Sequence, residues 1–287
     1  MLGTLFRHNG VIREFASGEA IVEEIADLFS LNGDQRSATL ERIYHKENRI
    51  VRTPLWHRLL YRAADSLAKE KLVTRPTDTA RLTNKREWML TEEGFDEALR
   101  LLNIPIEQKD TLAVKSFEVQ KEVKKITASP PPDNYNPFES ARKTRIVTQK
   151  SGIRARSFRQ AVIESYGCKC CVCGLQMKSP DLLCWEVQAA HIVPHNLSGK
   201  DDVWNGVALC HLHHWAFDVG WFSFSDDYRI LVSSRSRSFS DDFMKIQQND
   251  FFWNGLVQNK TMTLPENNSL CPHKNSIEWH RQHIFYQ

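Results

Sequence analysis

Over Gly18 to Leu31 the apolar positions recur at helical spacing and stop at the turn Asn32-Gly33-Asp34, which predicts one helix and its end. A second helix is expected over Leu55 to Leu72, where Leu55, Leu59, Leu60, Ala63, Ala64, Leu67 and Leu72 form an apolar stripe, with Arg58, Arg62, Lys69 and Lys71 off it. The periodicity then changes. Val73-Thr74-Arg75-Pro76, a polar loop and Glu87-Trp88-Met89-Leu90-Thr91 read as a two-stranded wing, and Thr91 is placed to cap a helix that begins Glu92-Glu93-Gly94. From about Lys109 to Thr127 a pattern rich in Lys, Glu and Val predicts another helix. Ala128 to Pro137 contains Pro130-Pro131-Pro132, cannot sustain helix or sheet, and is expected to be an interdomain linker.

In the second half the period shortens. Glu186 to Pro194 alternates as a strand ending at His191, and His213-His214-Trp215-Ala216-Phe217-Asp218 reads as a short helix. Gly220 to Val232 reads as two strands across the Asp226-Asp227 turn. The order in the first half, two helices, a hairpin and a closing helix, is that of a winged helix. The fold class expected is therefore α+β, with a winged-helix domain at 1–125, a basic Pro-rich linker at 126–150 and a second domain with a C-terminal extension at 151–287.

A chain of 287 residues has room for two such domains. No apolar run reaches the ~18 residues of a membrane span, so no membrane partner is expected. The start, Met1 to Arg7, lacks the apolar core of a secretory signal, and the seven cysteines are not spread as a disulfide framework, which points to the cytoplasm. A net charge of +3 says little about partners, but its distribution says more. From Arg142 to Arg159 the chain carries Arg142, Lys143, Arg145, Lys150, Arg154, Arg156 and Arg159 with no acidic residue, which suits either a solvated linker or phosphate contacts, the latter from Arg154 and Arg156.

Cys168, Cys170, Cys171 and Cys173 crowd into six positions, which suits metal better than disulfides. Cys170-x-x-Cys173 and, 36 residues on, Cys210-x-x-His213 supply two ligand pairs with a gap that lets both side chains reach one ion, so a closed structural Zn²⁺ site is expected. Cys168 and Cys171 offer a competing pair at the same gap. Spacing does not choose between them; similarity to zinc knuckles, in the placement of Val172 and Gly174, favours Cys170 and Cys173.

Two resemblances sharpen these expectations. Trp56, Ala63-Ala64, Leu67, Leu72-Val73, Trp88 and Leu90-Thr91-Glu92-Glu93-Gly94 resemble the winged helix of Mrr-type restriction proteins, over about the first third of the chain. That resemblance implies a helix carrying Arg58 and Arg62 against DNA and a wing carrying Arg81, Lys85 and Arg86 on phosphates. It also extends the expected target to DNA with modified bases such as methylated adenine.

His191, Asn205 and His214, interleaved with the zinc pairs, resemble the HNH nucleases and their ββα-metal fold, over about Phe158 to Ser234. The resemblance implies His191 as general base, Asn205 as the residue that positions its loop and ring, and His214 as a ligand of a catalytic Mg²⁺ or Mn²⁺. Where many members carry an Asp or His just before the first histidine, this chain has Ala190. Asp218, four residues after His214 and on the same helix face, is expected to replace that ligand. His195 and His211 are expected to orient DNA or pack locally, and Cys271 with His273 are too few for a further metal site. The expected function is a restriction-type endonuclease acting on double-stranded DNA. One strand-cutting centre per chain makes a homodimer the expected form. The rival is a DNA-binding regulator that keeps an inactive HNH scaffold.

Overall fold

In the computed structural model, which describes residues 1–13, 20–44, 49–139, 148–235 and 256–287, the chain divides into two units, Met1–Lys121 and Glu122–Gln287. The first opens with α1 (Leu2–Arg7), β1 (Val11–Arg13), α2 (Ala20–Leu28) and α3 (Gly33–Ser37). The first predicted helix is found as α2, with Gly18 outside the described residues. An unforeseen hairpin follows: β2 (Thr39–Tyr44) pairs antiparallel with β3 (Arg49–Pro54), in register from Thr39↔Pro54 to Tyr44↔Arg49.

Helix α4 (Leu55–Lys69) forms as predicted, but its buried row is Trp56, Leu60 and Ala64, while Leu55 and Leu59 are exposed. Leu60 and Ala64 belong to the stripe expected, and Trp56 with the neighbouring His57 extends it in place of Leu55 and Leu59. Next come β4 (Val73–Thr74), α5 (Pro76–Thr83), β5 (Glu87–Leu90) and α6 (Glu92–Leu101). Val73 and Thr74 do pair with Leu90 and Met89, but the polar loop expected between them is the helix α5. Pro76 at its first position explains this, since a fixed φ and a missing N–H suit a helix start. Arg81 consequently sits on a helix and not on a wing, which corrects its assignment. β1 adds a third strand on the other side of β5, in the order β1-β5-β4. Thr91 caps α6, accepting from the Gly94 N–H at 2.9 Å and donating to the Lys71 carbonyl at 2.6 Å. The helix expected from Lys109 starts only at α7 (Phe117–Ile126), because the Lys115 N–H is taken by the Asn9 carbonyl at 2.9 Å.

The second unit holds α8 (Thr148–Ser165), β6 (Val187–His191), β7 (Gly206–Cys210), α9 (His211–Asp218), β8 (Phe222–Phe224), β9 (Ile230–Val232) and α10 (Lys274–His283). β6 and β7 form an antiparallel pair in the register Val187↔Cys210 to His191↔Gly206, and β8 pairs with β9 across the expected turn. α8 crosses this ribbon so closely that a Cβ on Gly206 would lie 2.5 Å from Val162 Cγ2 and 2.9 Å from Phe158 Cε2. α10 is pinned by His280, whose ring stacks on Phe217 at 3.7 Å. Its Nε2 donates to the Phe217 carbonyl at 3.1 Å, and its Nδ1 accepts from the Ser223 hydroxyl at 2.9 Å.

Part of the stretch expected as a linker is packed chain within this unit. Tyr135 is 2% exposed against Trp204 and His273, Asn275 donates to its carbonyl at 2.8 Å, and the Lys200 N–H donates to Pro137 at 2.9 Å. Proline excludes regular hydrogen-bonded structure without excluding burial. Residues 140–147, with Arg142, Lys143 and Arg145 of the basic run, lie outside the described residues.

Candidate active site and metal centre

Two CxxC/H turns meet at one point in the second unit. The sulfurs of Cys170, Cys173 and Cys210 and a ring nitrogen of His213 all lie within 4.8 Å of one another. His213 Nδ1 is 3.0 Å from Cys210 Sγ and 3.5 Å from Cys170 Sγ, and Cys173 Sγ is 4.0 Å from Cys210 Sγ. A tetrahedral ion with Zn–S bonds of ~2.3 Å and a Zn–N bond of ~2.0 Å needs ligand-to-ligand edges of this size, so the donors fit zinc. Hydrogen bonds from Cys173 and Cys210 hold the Cys170 thiol far below its ordinary range, so a thiolate is favoured there. Burial alone would lower the His213 pKa, yet Cys170 and Cys173 raise it to about 9. Cys210, hydrogen-bonded to Cys170 and Cys173, is pushed up in turn. Cys171, from the competing pair, stays outside the cluster, and burial pushes its thiol up.

The cluster ties the turn at Cys170–Cys173 to the end of β7 and the start of α9, beside which His191, Asn205 and His214 stand. His191 ends β6 with its ring stacked on Phe158 at 4.1 Å, an approach that Gly206 permits by having no side chain. Its Nε2 lies 3.0 Å from Asp201 Oδ1. A carboxylate only accepts, so Nε2 carries the proton and Nδ1 is left with the lone pair. Burial raises the Asp201 pKa, but the hydrogen bond from His191 and the charges of His191, Arg154 and His195 outweigh it and leave the carboxyl below its ordinary range. Arg154 Nε stands 3.5 Å from Asp201, and Arg154 also pairs with Glu139 on the packed Pro-rich segment.

Asn205 is fully buried and closes the loop behind His191. Its Oδ1 accepts from the Val193 N–H at 2.9 Å, while its Nδ2 donates to the Val193 and Lys200 carbonyls, each at 3.0 Å. The His195 ring lies 5.9 Å from that of His191.

His214 and Asp218 occupy adjacent turns of α9, with Nε2 and Oδ2 3.5 Å apart. Burial lowers the His214 pKa and raises that of Asp218, each partly opposed by the other. A nitrogen lone pair and a carboxylate oxygen at this separation can share a divalent ion and leave its remaining positions open. Ala190 is fully buried and offers no donor.

The residues expected on DNA fare unevenly. In the first unit Arg58 is half-buried and Arg62 exposed on α4, Arg81 is exposed beside Asp78, and Lys85 and Arg86 are exposed just before β5. In the second, the exposed Arg154 pairs with Glu139 and Asp201, and Arg156 is only 8% exposed. Asp201, Gln188, Phe158 and Glu139 were not anticipated. Asp201 had a signal, an acidic residue between His191 and Asn205; the others had none in spacing.

Residues 170–225 match the family model described as HNH endonuclease, so this segment is an HNH endonuclease domain. Among solved structures the chain is similar to a "Modification dependent TagI restriction endonuclease", at 20% identity and a TM-score of 0.33 over 49% of this chain and 44% of that one. The chain thus covers less than half of that chain's length. No curated protein matches.

Proposed function

We propose that the chain is a metal-dependent endonuclease that hydrolyses phosphodiester bonds of double-stranded DNA, with a restriction-type role. The observation that carries this reading is the free Nδ1 of His191, held by Asp201 in the locality of His214 and Asp218 and built on a zinc-stapled HNH domain. In this reading His191 Nδ1 removes a proton from the attacking water, and Asp201 stabilises the imidazolium that results. Asn205 fixes the loop that sets the ring's position. His214 and Asp218 would hold Mg²⁺ or Mn²⁺, which supplies charge stabilisation at the phosphate and the departing oxygen. The first unit, with exposed Arg62, Arg81, Lys85 and Arg86, serves as the DNA-reading module, and its winged-helix character belongs to the proposal. Two copies acting together give a double-strand break. The cytoplasm is the proposed location.

A rival reading, a DNA-binding regulator, rests on Ala190, which removes one donor from the catalytic side. Both are tested by incubating the protein with plasmids that differ only in base modification, with Mg²⁺ or Mn²⁺. Cleavage is expected to fall by about 100- to 10 000-fold in His191→Ala. Tight binding with no cleavage of any plasmid would favour the regulator, and cleavage unaffected by His191→Ala would remove the HNH assignment of the base. Cleavage confined to modified plasmids would establish the dependence on modified bases.

A further inference from the structure

A backbone carbonyl can only accept a hydrogen bond, so a ring nitrogen beside one must carry its proton. His211 Nδ1 lies 2.7 Å from the Glu186 carbonyl oxygen, which makes Nδ1 the donor and leaves Nε2 of the neutral ring as an acceptor. The Gln188 amide stands 2.8 Å from His211 Nε2 and must turn its NH₂ toward that ring. Its oxygen then faces His214 Nδ1 at 2.7 Å. An amide oxygen also only accepts, so His214 is protonated at Nδ1 and its Nε2 keeps the lone pair, toward Asp218 Oδ2 at 3.5 Å. Every donor and acceptor in this chain follows from one backbone oxygen.

We propose that Gln188, oriented by His211, is a positioning residue that locks His214 in the Nδ1-protonated tautomer and so presents its Nε2 to a divalent cation shared with Asp218. The part that concerns the cation rests on the ligand pair proposed above; the tautomer does not. Gln188 lies on β6 three residues before His191, so the strand that carries the base also sets the ligand on the facing helix. Groups that orient a metal-binding imidazole through its other nitrogen are commonly worth about 10- to 100-fold in metal affinity.

The test uses the full chain loaded with zinc and labelled with ¹⁵N-histidine at pH 8. Long-range ¹H–¹⁵N correlation reads the tautomer, and calorimetric titration reads Mn²⁺ affinity. The parent should show His214 protonated at Nδ1. Gln188→Met should release the ring toward the other tautomer and weaken Mn²⁺ by about 10- to 100-fold, with zinc content and melting temperature retained. Gln188→Glu, which can still accept from Nδ1, should restore affinity to within a few-fold. His211→Phe leaves the amide free to turn over and should give a mixed tautomer even if Gln188→Met folds poorly.

A parent His214 protonated at Nε2, or a Gln188→Met protein with the parent's tautomer and affinity, would overturn the proposal. If the tautomer is as stated but the parent binds no Mn²⁺ that His214→Ala abolishes, the cation reading fails while the tautomer lock stands.

Discussion

The zinc cluster and the His214–Asp218 pair draw on neighbouring residues of the same helix, His213 and His214, and present opposite designs. The cluster gathers four donors, with Cys170, Cys210 and His213 almost wholly buried, and leaves an ion no vacant position. The pair has two donors, a half-exposed Asp218 and a buried Ala190 where a further ligand would stand. Closed coordination suits a structural ion, and open coordination suits a centre that must admit water and phosphate.

Four outcomes would break or sharpen this contrast. Replacing a staple ligand, as in Cys210→Ser, should unfold the second unit and release its zinc, because the binding energy of a structural zinc, about 10–16 kcal/mol, is folding energy. Retained zinc stoichiometry and melting temperature in that variant would remove the structural role. At the open end, Asp218→Ala should leave the melting temperature unchanged while lowering Mn²⁺ affinity and cleavage by about 100-fold, more than the outer partners of a ligand contribute. Cleavage equal to the parent's would end its assignment as the second ligand.

His280 adds a pH dependence to the rigid side. Burial lowers its pKa to about 3, against an ordinary value of ~6.5, so the unfolded chain binds a proton that the folded chain refuses. Stability should therefore be complete above about pH 6.5 and fall by about 1.4 kcal/mol per unit as pH drops toward 3. Denaturant titrations at pH 7 and 5 should show that slope in the parent and its loss in His280→Gln.

Asp201→Asn tests the base alone. It should lower kcat by about tenfold with little change in KM, because it removes the charge that stabilises the His191 imidazolium while keeping an acceptor for Nε2. Asp201 also has a folded pKa below its ordinary ~3.9, so the stability it contributes is present above about pH 4 and lost as pH falls through the folded value. The variant should lack that acid-side loss.

In the first unit, helix positions were legible and their environment was not. Periodicity located α2, α4 and α6, since a 3.6-residue repeat is written in the chain. It could not show that β1 would join β5 or that Thr39 to Pro54 would fold back on itself, because strand pairing depends on partners distant in sequence, whereas α5 does carry a local signal in Pro76 at its first position.

In the second unit the sequence by itself offered two cysteine pairs at the same two-residue gap, because donor chemistry and spacing are local properties, and only the fold gathered Cys170 and Cys173 with Cys210 and His213. Only the tertiary structure decided the partners. Asp201 reaches His191 across a loop closed by Asn205, Gln188 links His211 to His214 between strand and helix, and Phe158 meets His191 because Gly206 leaves room. It also buried Arg156 and paired the exposed Arg154 with Glu139 and Asp201. Charge and ligand type belong to residues taken singly, whereas hydrogen-bond direction and burial exist only once the chain has brought distant groups together.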